Sequence, residues 1–173
     1  MIRDLKEDEI ECKVSIIKEN GLALLLYKTA RTDMGILDET FGTMNWQCEY
    51  KEIKGNMYCG ISVWDDKKQQ WITKWDCGVE SAFGDKEKGE ASDAFKRAGF
   101  KWGIGVELYT SPFIWIPAEK CNIKTYTGTD GKPKYTCNDK FEVEKIKIED
   151  KKIKDISIMC NMKRVFVWGE DVK

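Results

Sequence analysis

The spacing of apolar and polar residues predicts a strand and then a helix near the start of the chain. Alternation over residues 10–16 is typical of a short β-strand, and Asn20-Gly21 follows as a turn signal. Over residues 22–41 the apolar spacing becomes helical, which predicts one helix with Gly42 at its C-cap. The apolar stripe of this helix consists of Leu26, Ala30, Met34, Leu37 and Phe41.

Three strand-like segments follow, and short turn signals join them. We predict strands over residues 46–53, 57–64 and 70–79. Short connections between consecutive strands are typical of an antiparallel meander. The alternation places Met57, Cys59, Ile61 and Val63 on one face of the second strand, and Trp71, Thr73, Trp75, Cys77 and Val79 on one face of the third.

The period then changes back to that of a helix, which we predict over residues 85–102 with Asp85 as its N-cap. Gly89 and Gly99 weaken such a helix by roughly 1 kcal/mol each relative to alanine, a cost that a close backbone approach would explain. The apolar stripe consists of Ala91, Ala94, Phe95, Ala98 and Trp102.

The rest of the chain predicts further strands. Prolines at both ends of residues 112–117 suit an edge strand, and residues 127–133 are typical of a loop. Residues 141–148 and 153–160 predict a hairpin whose alternation slips in both strands, which indicates bulges, and residues 165–168 add a last strand.

The predicted fold class is α+β: an antiparallel β-meander with a long helix packed on it, plus a C-terminal β-hairpin. We assign residues 1–117 to the core and residues 118–173 to an extension that packs on the same domain.

Composition limits the chemistry that this chain can perform. It contains no histidine, which excludes a histidine base, a histidine metal ligand and a Ser-His-Asp relay. Seven cysteines occur without Cys-x-x-Cys spacing, so neither a zinc site nor a redox motif is indicated. We interpret Cys48, Cys59 and Cys77 as small buried residues with free thiols. Because no signal-peptide core and no membrane-length apolar run occurs, we expect a cytoplasmic protein without a membrane partner.

The global charge does not mark a nucleic-acid binder. The formal net charge is -1 over 173 residues, so such a function must come from local arrangement or from assembly. Arginine is scarce, and its positions are informative because a guanidinium group holds phosphate in a bidentate way that lysine does not. The arginines are Arg3, Arg31, Arg97 and Arg164.

Carboxylates and tryptophans leave alternatives open. Asp65-Asp66 lies in a predicted turn, but a nuclease whose scattered carboxylates converge on Mg²⁺ is not excluded by the sequence. Seven tryptophans fit either base stacking on an open sheet or ordinary packing in the core and between subunits.

The predicted second helix carries cations away from its apolar stripe. Lys96 and Arg97 point off the stripe, and Arg97 and Lys101 are neighbours at i and i+4. Arg97 could pair with Asp93 one turn back. From the period alone, a solvated helix face and a phosphate-binding face both remain open.

Two motifs flank the predicted meander and make a family resemblance visible. The first consists of Tyr27, Ala30-Arg31, the run Leu-Asp-Glu-Thr-Phe-Gly at 37–42, and Trp46. The second is Ser-Asp-Ala-Phe-Lys-Arg-Ala at 92–98, followed by Trp102-Gly103. In order and spacing they resemble the annealing domain of the Rad-fifty-two family, which includes phage Sak-like and bacterial DdrA-like annealing proteins. The resemblance covers about residues 22–117.

The resemblance implies a β-β-β-α core whose helix and sheet help to form a groove for the phosphates of a single strand. The helix positions that match the family's basic residues are Lys96 and Arg97, and Arg31 matches the basic position of the first helix. A further family arginine is replaced here by Phe100, with Lys101 beside it. The expected inner-groove residues are therefore Arg31, Lys96, Arg97 and Lys101. We also note Lys74, Lys86 and Lys88 as a candidate second, outer strand site.

The function that the resemblance implies is single-stranded DNA binding and annealing of complementary strands in homologous recombination and DNA repair. It implies an ATP-independent ring or helical homo-oligomer without a cofactor or metal, in a bacterial or phage-infected cell, and not an enzyme. A single-strand-binding protein or an exonuclease is an expected further partner. The alternatives are a strand-protecting protein without annealing activity, a Mg²⁺-dependent nuclease, and a purely structural oligomer.

Overall fold

The computed structural model describes residues 2–79 and 85–170 and has an α+β fold with mostly antiparallel strands. Contacts divide the chain into two compact units. The first comprises Met1–Asp4 and Lys28–Val106, and the second comprises Leu5–Tyr27 and Glu107–Lys173. The predicted boundary after residue 117 falls inside the second unit. In chain order the elements are β1 (Glu11–Lys18), β2 (Gly21–Tyr27), α1 (Ala30–Phe41), β3 (Trp46–Ile53), β4 (Asn56–Asp65), β5 (Gln70–Cys77), α2 (Lys86–Lys101), β6 (Ile114–Pro117), β7 (Ile123–Thr127), β8 (Pro133–Cys137), β9 (Phe141–Glu149), β10 (Lys152–Cys160) and β11 (Lys163–Trp168).

The first unit contains a three-stranded antiparallel sheet in the order β3-β4-β5 and both α-helices. Helix α2 packs on β4 and β5. Its Phe95 also contacts Trp46, the first residue of β3, with ring centroids 6.1 Å apart. Trp102 follows the helix and donates its indole N–H to the carbonyl of Ile61 at 3.0 Å. The core of this unit lies between helix and sheet, and its buried apolar residues include Ile36, Leu37, Cys59, Ile61, Val63, Ala94, Phe95 and Ala98.

The second unit contains a six-stranded sheet in the order β11-β10-β9-β1-β2-β6 and the separate hairpin β7-β8. Its core includes Leu22, Leu24, Ile114, Ile116, Ile156 and Ile158, all at most 4% exposed. The carboxylate of Glu107 is fully buried in this unit and accepts a hydrogen bond from the backbone N–H of Leu5 at 2.7 Å.

Most predicted elements are confirmed. The meander, the helix N-cap at Asp85 and the C-cap at Gly42 are present, and the strand before Pro117 lies at a sheet edge. The hairpin β9-β10 has register shifts between Ile153 and Asp155 and between Ser157 and Ile158, as the slipped alternation predicted. Strands β7 and β8, which flank the predicted loop, were not predicted.

The prediction of one helix over residues 22–41 is wrong for residues 22–29. Residues 21–27 form β2, which pairs with β1, and the helix begins only at Ala30. Leu22, Ala23 and Leu24 are all buried, so the run is apolar on both faces and its spacing fits a strand as well as a helix. The start of α1 is set by Thr29, whose side chain accepts a hydrogen bond from the N–H of Thr32 at 3.2 Å.

Within the residues that the structure describes, no helix combines the length and the apolar character needed to cross a membrane.

We predict a pH-dependent contact in the second unit, between Glu144 of β9 and Arg164 of β11. The guanidinium group donates to both carboxylate oxygens at 2.6 and 2.8 Å, and Ser157 donates at 2.8 Å. These donors lower the pKa of Glu144 from 4.5 to about 2, the arginine hydrogen bond contributing most. Because the folded pKa lies below the unfolded one, the stabilisation is complete above pH 4.5 and is lost as the pH falls through about 2.

Carbon-13 NMR of the Glu144 carboxyl carbon measures this pKa directly. Arg164→Gln should bring the titration midpoint back towards 4.5, whereas Lys163→Gln on the same strand should leave it low. A midpoint that is unchanged by Arg164→Gln would contradict the assignment of the cause.

Candidate nucleic-acid interface

A buried ion pair joins the two helices of the first unit. Lys28, which is 2% exposed, donates from Nζ to both oxygens of the fully buried Asp33 at 2.5 and 2.6 Å. The same ammonium group donates to the carbonyl of Lys96 at 3.0 Å and lies 4.1 Å from the ring centroid of Phe100. Lys28 thus binds the first turn of α1 and the C-terminal half of α2 at the same time.

Gly99 allows this close approach. A Cβ atom at position 99 would lie 2.6 Å from Oδ2 of Asp33 and 3.4 Å from Nζ of Lys28. No side chain fits there without displacing the ion pair, which explains a glycine in the interior of a helix. The close backbone approach that the sequence suggested for Gly99 is therefore present.

Burial shifts the titration of Asp33. Desolvation raises its pKa from 3.8 to about 6, and the charge and hydrogen bonds of Lys28 act in the opposite direction. At neutral pH the carboxylate is therefore ionised and paired.

Three cations converge beside the C-terminal half of α2, and we call Lys74, Arg97 and Lys101 the α2 cation cluster. Asp76 of β5 lies 3.5 Å from Nε of Arg97 and 3.8 Å from Nζ of Lys101. Lys74 donates to the carbonyl of Lys101 at 2.9 Å and lies 4.3 Å from the ring centroid of Trp102. Two of the three cations therefore share one carboxylate, and the third is held beside them by the end of α2.

The cluster is open to solvent and incompletely neutralised. The side chains of Arg97 and Lys101 are 43% and 50% exposed. Within the described residues, the Nε–H of Arg97 has no hydrogen-bond acceptor, so its contact with Asp76 is an ion pair only. Asp76 is held in place by the N–H of Cys77 at 2.8 Å. A phosphate can therefore bind the outer face of the cluster while Asp76 orients the cations from below.

Lys96 is oriented differently from Arg97. Its Nζ lies 3.8 Å from Asp93, the carboxylate one turn back that also accepts a hydrogen bond from the N–H of Val79. Its side chain is 26% exposed, and its backbone carbonyl belongs to the Lys28 site. Lys96 thus contributes to positioning as well as to the charge of α2.

Arg31 lies in the first turn of α1 and is exposed. A cation at a helix N-terminus gains nothing from the helix dipole, which favours anions there. Helix stability therefore does not explain this arginine.

The three lysines of the predicted outer site do not come together. Lys86 and Lys88 occupy the exposed N-terminal turn of α2, where the N–H of Lys88 donates to the N-cap Asp85 at 3.1 Å. Lys74 lies at the other end of the helix, about 20 Å away at 1.5 Å per residue. The structure groups Lys74 with Arg97 and Lys101 instead.

A groove beside the β4-β5 turn contains residues that the sequence did not single out, and we call it the turn groove. It has a volume of about 500 Å³ and lies next to Lys74 and Trp102. Phe41 and Ile72 form part of its wall, and Lys67 and Lys68 form part of its rim. In the sequence, only the adjacent turn lysines Lys67 and Lys68 could have indicated this groove. Lysines are common in surface turns, so they do not by themselves predict a groove.

The cysteines of the sheet have different environments. Cys59 is buried and Cys77 is half-buried, but Cys48 is exposed, so the interpretation of all three as buried is wrong for Cys48. Strand β3 is an edge strand whose middle lies outside the cover of α2, which leaves Cys48 accessible. A hydrogen bond with Cys59 lowers the pKa of Cys48 to about 7 and raises that of Cys59.

No candidate metal cluster occurs in the described ranges 2–79 and 85–170: no three histidine, cysteine, aspartate or glutamate side chains are placed to hold one ion.

Comparison of the chain with protein-family models, with curated proteins and with solved structures finds no match.

We predict that the Lys28–Asp33 pair is required for the stability of the first unit. Asp33→Ala leaves a buried ammonium group without its counter-ion and should lower the free energy of unfolding by about 3–5 kcal/mol. The double variant Lys28→Met/Asp33→Leu should regain most of that loss, because no buried charge remains. Urea unfolding followed by circular dichroism measures each value.

Glu39→Gln provides the matched control for this prediction. It removes the partner of Arg3 in an ion pair of 2.9 Å whose side chains are 26% and 55% exposed. The cost should be below about 1 kcal/mol, as for other exposed pairs. An equal cost for Asp33→Ala and Glu39→Gln would contradict a structural role of the buried pair.

Proposed function

We propose that this protein binds single-stranded DNA and anneals complementary strands without ATP, as a ring or helical homo-oligomer. The observation that carries the proposal is the α2 cation cluster, in which Arg97 and Lys101 share the carboxylate of Asp76 and Lys74 donates to the carbonyl of Lys101. No covalent step is part of the proposal, so the protein acts as a binding protein and not as an enzyme.

The chemistry of the cluster fits a sugar-phosphate backbone. Lysine and arginine side chains neutralise phosphates without reading the base sequence, which leaves base edges free to pair with a second strand. The side chain of Arg97 is 43% exposed although its Nε is buried, and an arginine side chain is suited to hold a phosphate. These are the properties that annealing requires of a strand-binding surface.

The arrangement of the first unit supports the proposal further. Strands β3, β4 and β5 followed by α2 have the β-β-β-α order that the resemblance to Rad-fifty-two annealing domains implies. Most residues of the two marker motifs lie on α1 and α2, which the Lys28–Asp33 pair connects, while Tyr27 ends β2 and Trp46 begins β3. Lys96 and Arg31 are further cations of the proposed strand-binding surface.

The net charge of -1 gives assembly a role in the proposal. One copy presents a single cluster on an otherwise acidic chain, and the field of one cluster is screened within about 10 Å at 0.1 M salt. Repetition of the cluster around a ring or along a helical assembly would place cations next to one another along the bound strand.

We predict that Arg97→Ala/Lys101→Ala weakens binding of an unstructured oligothymidylate. The slope of log affinity against log salt should fall by about 1.4, since each phosphate contact on a single strand contributes about 0.7. Fluorescence anisotropy over a salt series measures both quantities. Lys13→Ala/Lys18→Ala, which removes two exposed cations from β1, is the control for the same change in net charge.

Asp76→Asn tests the same cluster in the opposite direction. Removal of this carboxylate releases Arg97 and Lys101 from competition and should raise the affinity for the strand. The cluster is not the binding surface if the double alanine variant matches its control and Asp76→Asn has no effect.

The annealing step has its own test. Two complementary labelled strands, mixed with the protein at modest ionic strength, should pair faster than without it, and light scattering should give an oligomeric mass. Slower pairing would indicate a protecting protein, and degradation that EDTA stops would indicate a Mg²⁺-dependent nuclease. Absence of binding at low salt would leave a structural oligomer.

A further inference from the structure

The turn groove combines an aromatic wall with a charged rim that carries both lysines and carboxylates. Trp102 is fixed by the hydrogen bond from its indole N–H to the Ile61 carbonyl at 3.0 Å. Phe41 packs edge-on against it, with ring centroids 6.0 Å apart and planes inclined by 70°. Ile72 of β5 adds an aliphatic surface to the same wall. Phe41, Ile72 and the part of Trp102 that the Lys74 ammonium group leaves uncovered, 4.3 Å from the ring centroid, offer a preformed surface to a planar ring.

The rim presents the ammonium groups of Lys67 and Lys68 beside two carboxylates that accept hydrogen bonds from neutral N–H groups and keep their charge. Asp65 accepts the backbone N–H groups of Lys67 and Lys68 at 3.0 and 3.1 Å, and Asp66 accepts the indole N–H of Trp64 at 2.9 Å. Both acids thus stabilise the turn itself. In the part of the chain that the structure describes, Lys67 and Lys68 form no ion pair. The turn therefore holds two exposed lysines at the mouth of the groove.

The size and the position of the groove fit one nucleotide. Its volume of about 500 Å³ lies in the range of small-molecule pockets, which is about 300–1,000 Å³. Lys74 lines the groove and also belongs to the α2 cation cluster. A strand whose phosphates contact Arg97 and Lys101 therefore passes the mouth of the groove.

We propose that the turn groove binds one nucleotide of the single strand, with the base against Trp102, Phe41 and Ile72 and a flanking phosphate at Lys67 and Lys68. This inference rests on the proposed function and specifies it. One base per copy is withdrawn from pairing, and the intervening bases remain exposed to a complementary strand. The base fixes the position of the strand relative to each copy, which backbone contacts alone do not.

The experiment compares an oligothymidylate with a deoxyribose-phosphate chain of the same length that lacks bases. The native protein should bind the base-containing strand at least about five-fold more tightly, since stacking of one base on an aromatic side chain produces an effect of that order or larger. Ile72→Trp, which fills the groove, should reduce this ratio towards one. Ile53→Trp is the matched control, because Ile53 is 44% exposed at the far end of the same sheet.

The rim is tested separately, with variants that do not touch the core. Lys67→Gln/Lys68→Gln should weaken binding of the base-containing strand, whereas Lys151→Gln/Lys152→Gln, the same change in the β9-β10 turn, should not. A 2-aminopurine in the oligonucleotide should be quenched by the native protein and less so by the Lys67→Gln/Lys68→Gln variant. This second readout applies whether or not Ile72→Trp folds.

The outcomes separate the two proposals. Failure of the native protein to bind either chain overturns the proposed function together with this inference. Equal affinity for the two chains, or equal effects of the Lys67/Lys68 and Lys151/Lys152 variants, overturns the inference and leaves backbone binding by the α2 cation cluster intact.

Discussion

The buried contact between Lys28 and Asp33 is the constraint on which the first unit depends. Two charges removed from water lose several kcal/mol of hydration each, and only close hydrogen bonds offset that loss. Here the ammonium group has two carboxylate contacts, a backbone carbonyl and an aromatic ring around it. Because these partners come from α1 and α2, satisfying the charge fixes the position of one helix against the other. The directions of Lys96 and Arg97 follow from that position.

Asp76 has a second electrostatic role, at the surface. Arg97 and Lys101 repel each other, and the Asp76 carboxylate between them lowers that cost while their side chains stay 43% and 50% exposed. The same carboxylate competes with any incoming anion. In the proposed function, this competition would moderate the retention of a polyanion.

The period of the apolar residues predicted most of the fold: α2 buries the single face that holds Ala94, Phe95 and Ala98, and the turn signals between β3, β4 and β5 marked the ends of the strands. It failed over residues 22–29, where a run that is buried on both sides carries no period. It could not predict the burial of Lys28, since a lysine is almost always exposed and its partners lie on two helices. Arg97, Lys101 and Lys74 were found as separate candidates, but the partner Asp76 that Arg97 and Lys101 share depends on the packing of α2 against β5. Lys67 and Lys68 were missed because nothing in a turn sequence shows which apolar wall lies beside it.

Gly99 lies on the side of α2 whose packing the Lys28–Asp33 pair constrains, and the outward cations lie on a side without that constraint. Its missing side chain is what lets a carboxylate reach the helix backbone, so no other residue is accommodated there at equal cost. The positions that carry the outward cations make no such demand on packing. A substitution of Arg97 or Lys101 would therefore change the charge of this helix without disturbing the contact at Gly99 that orients it.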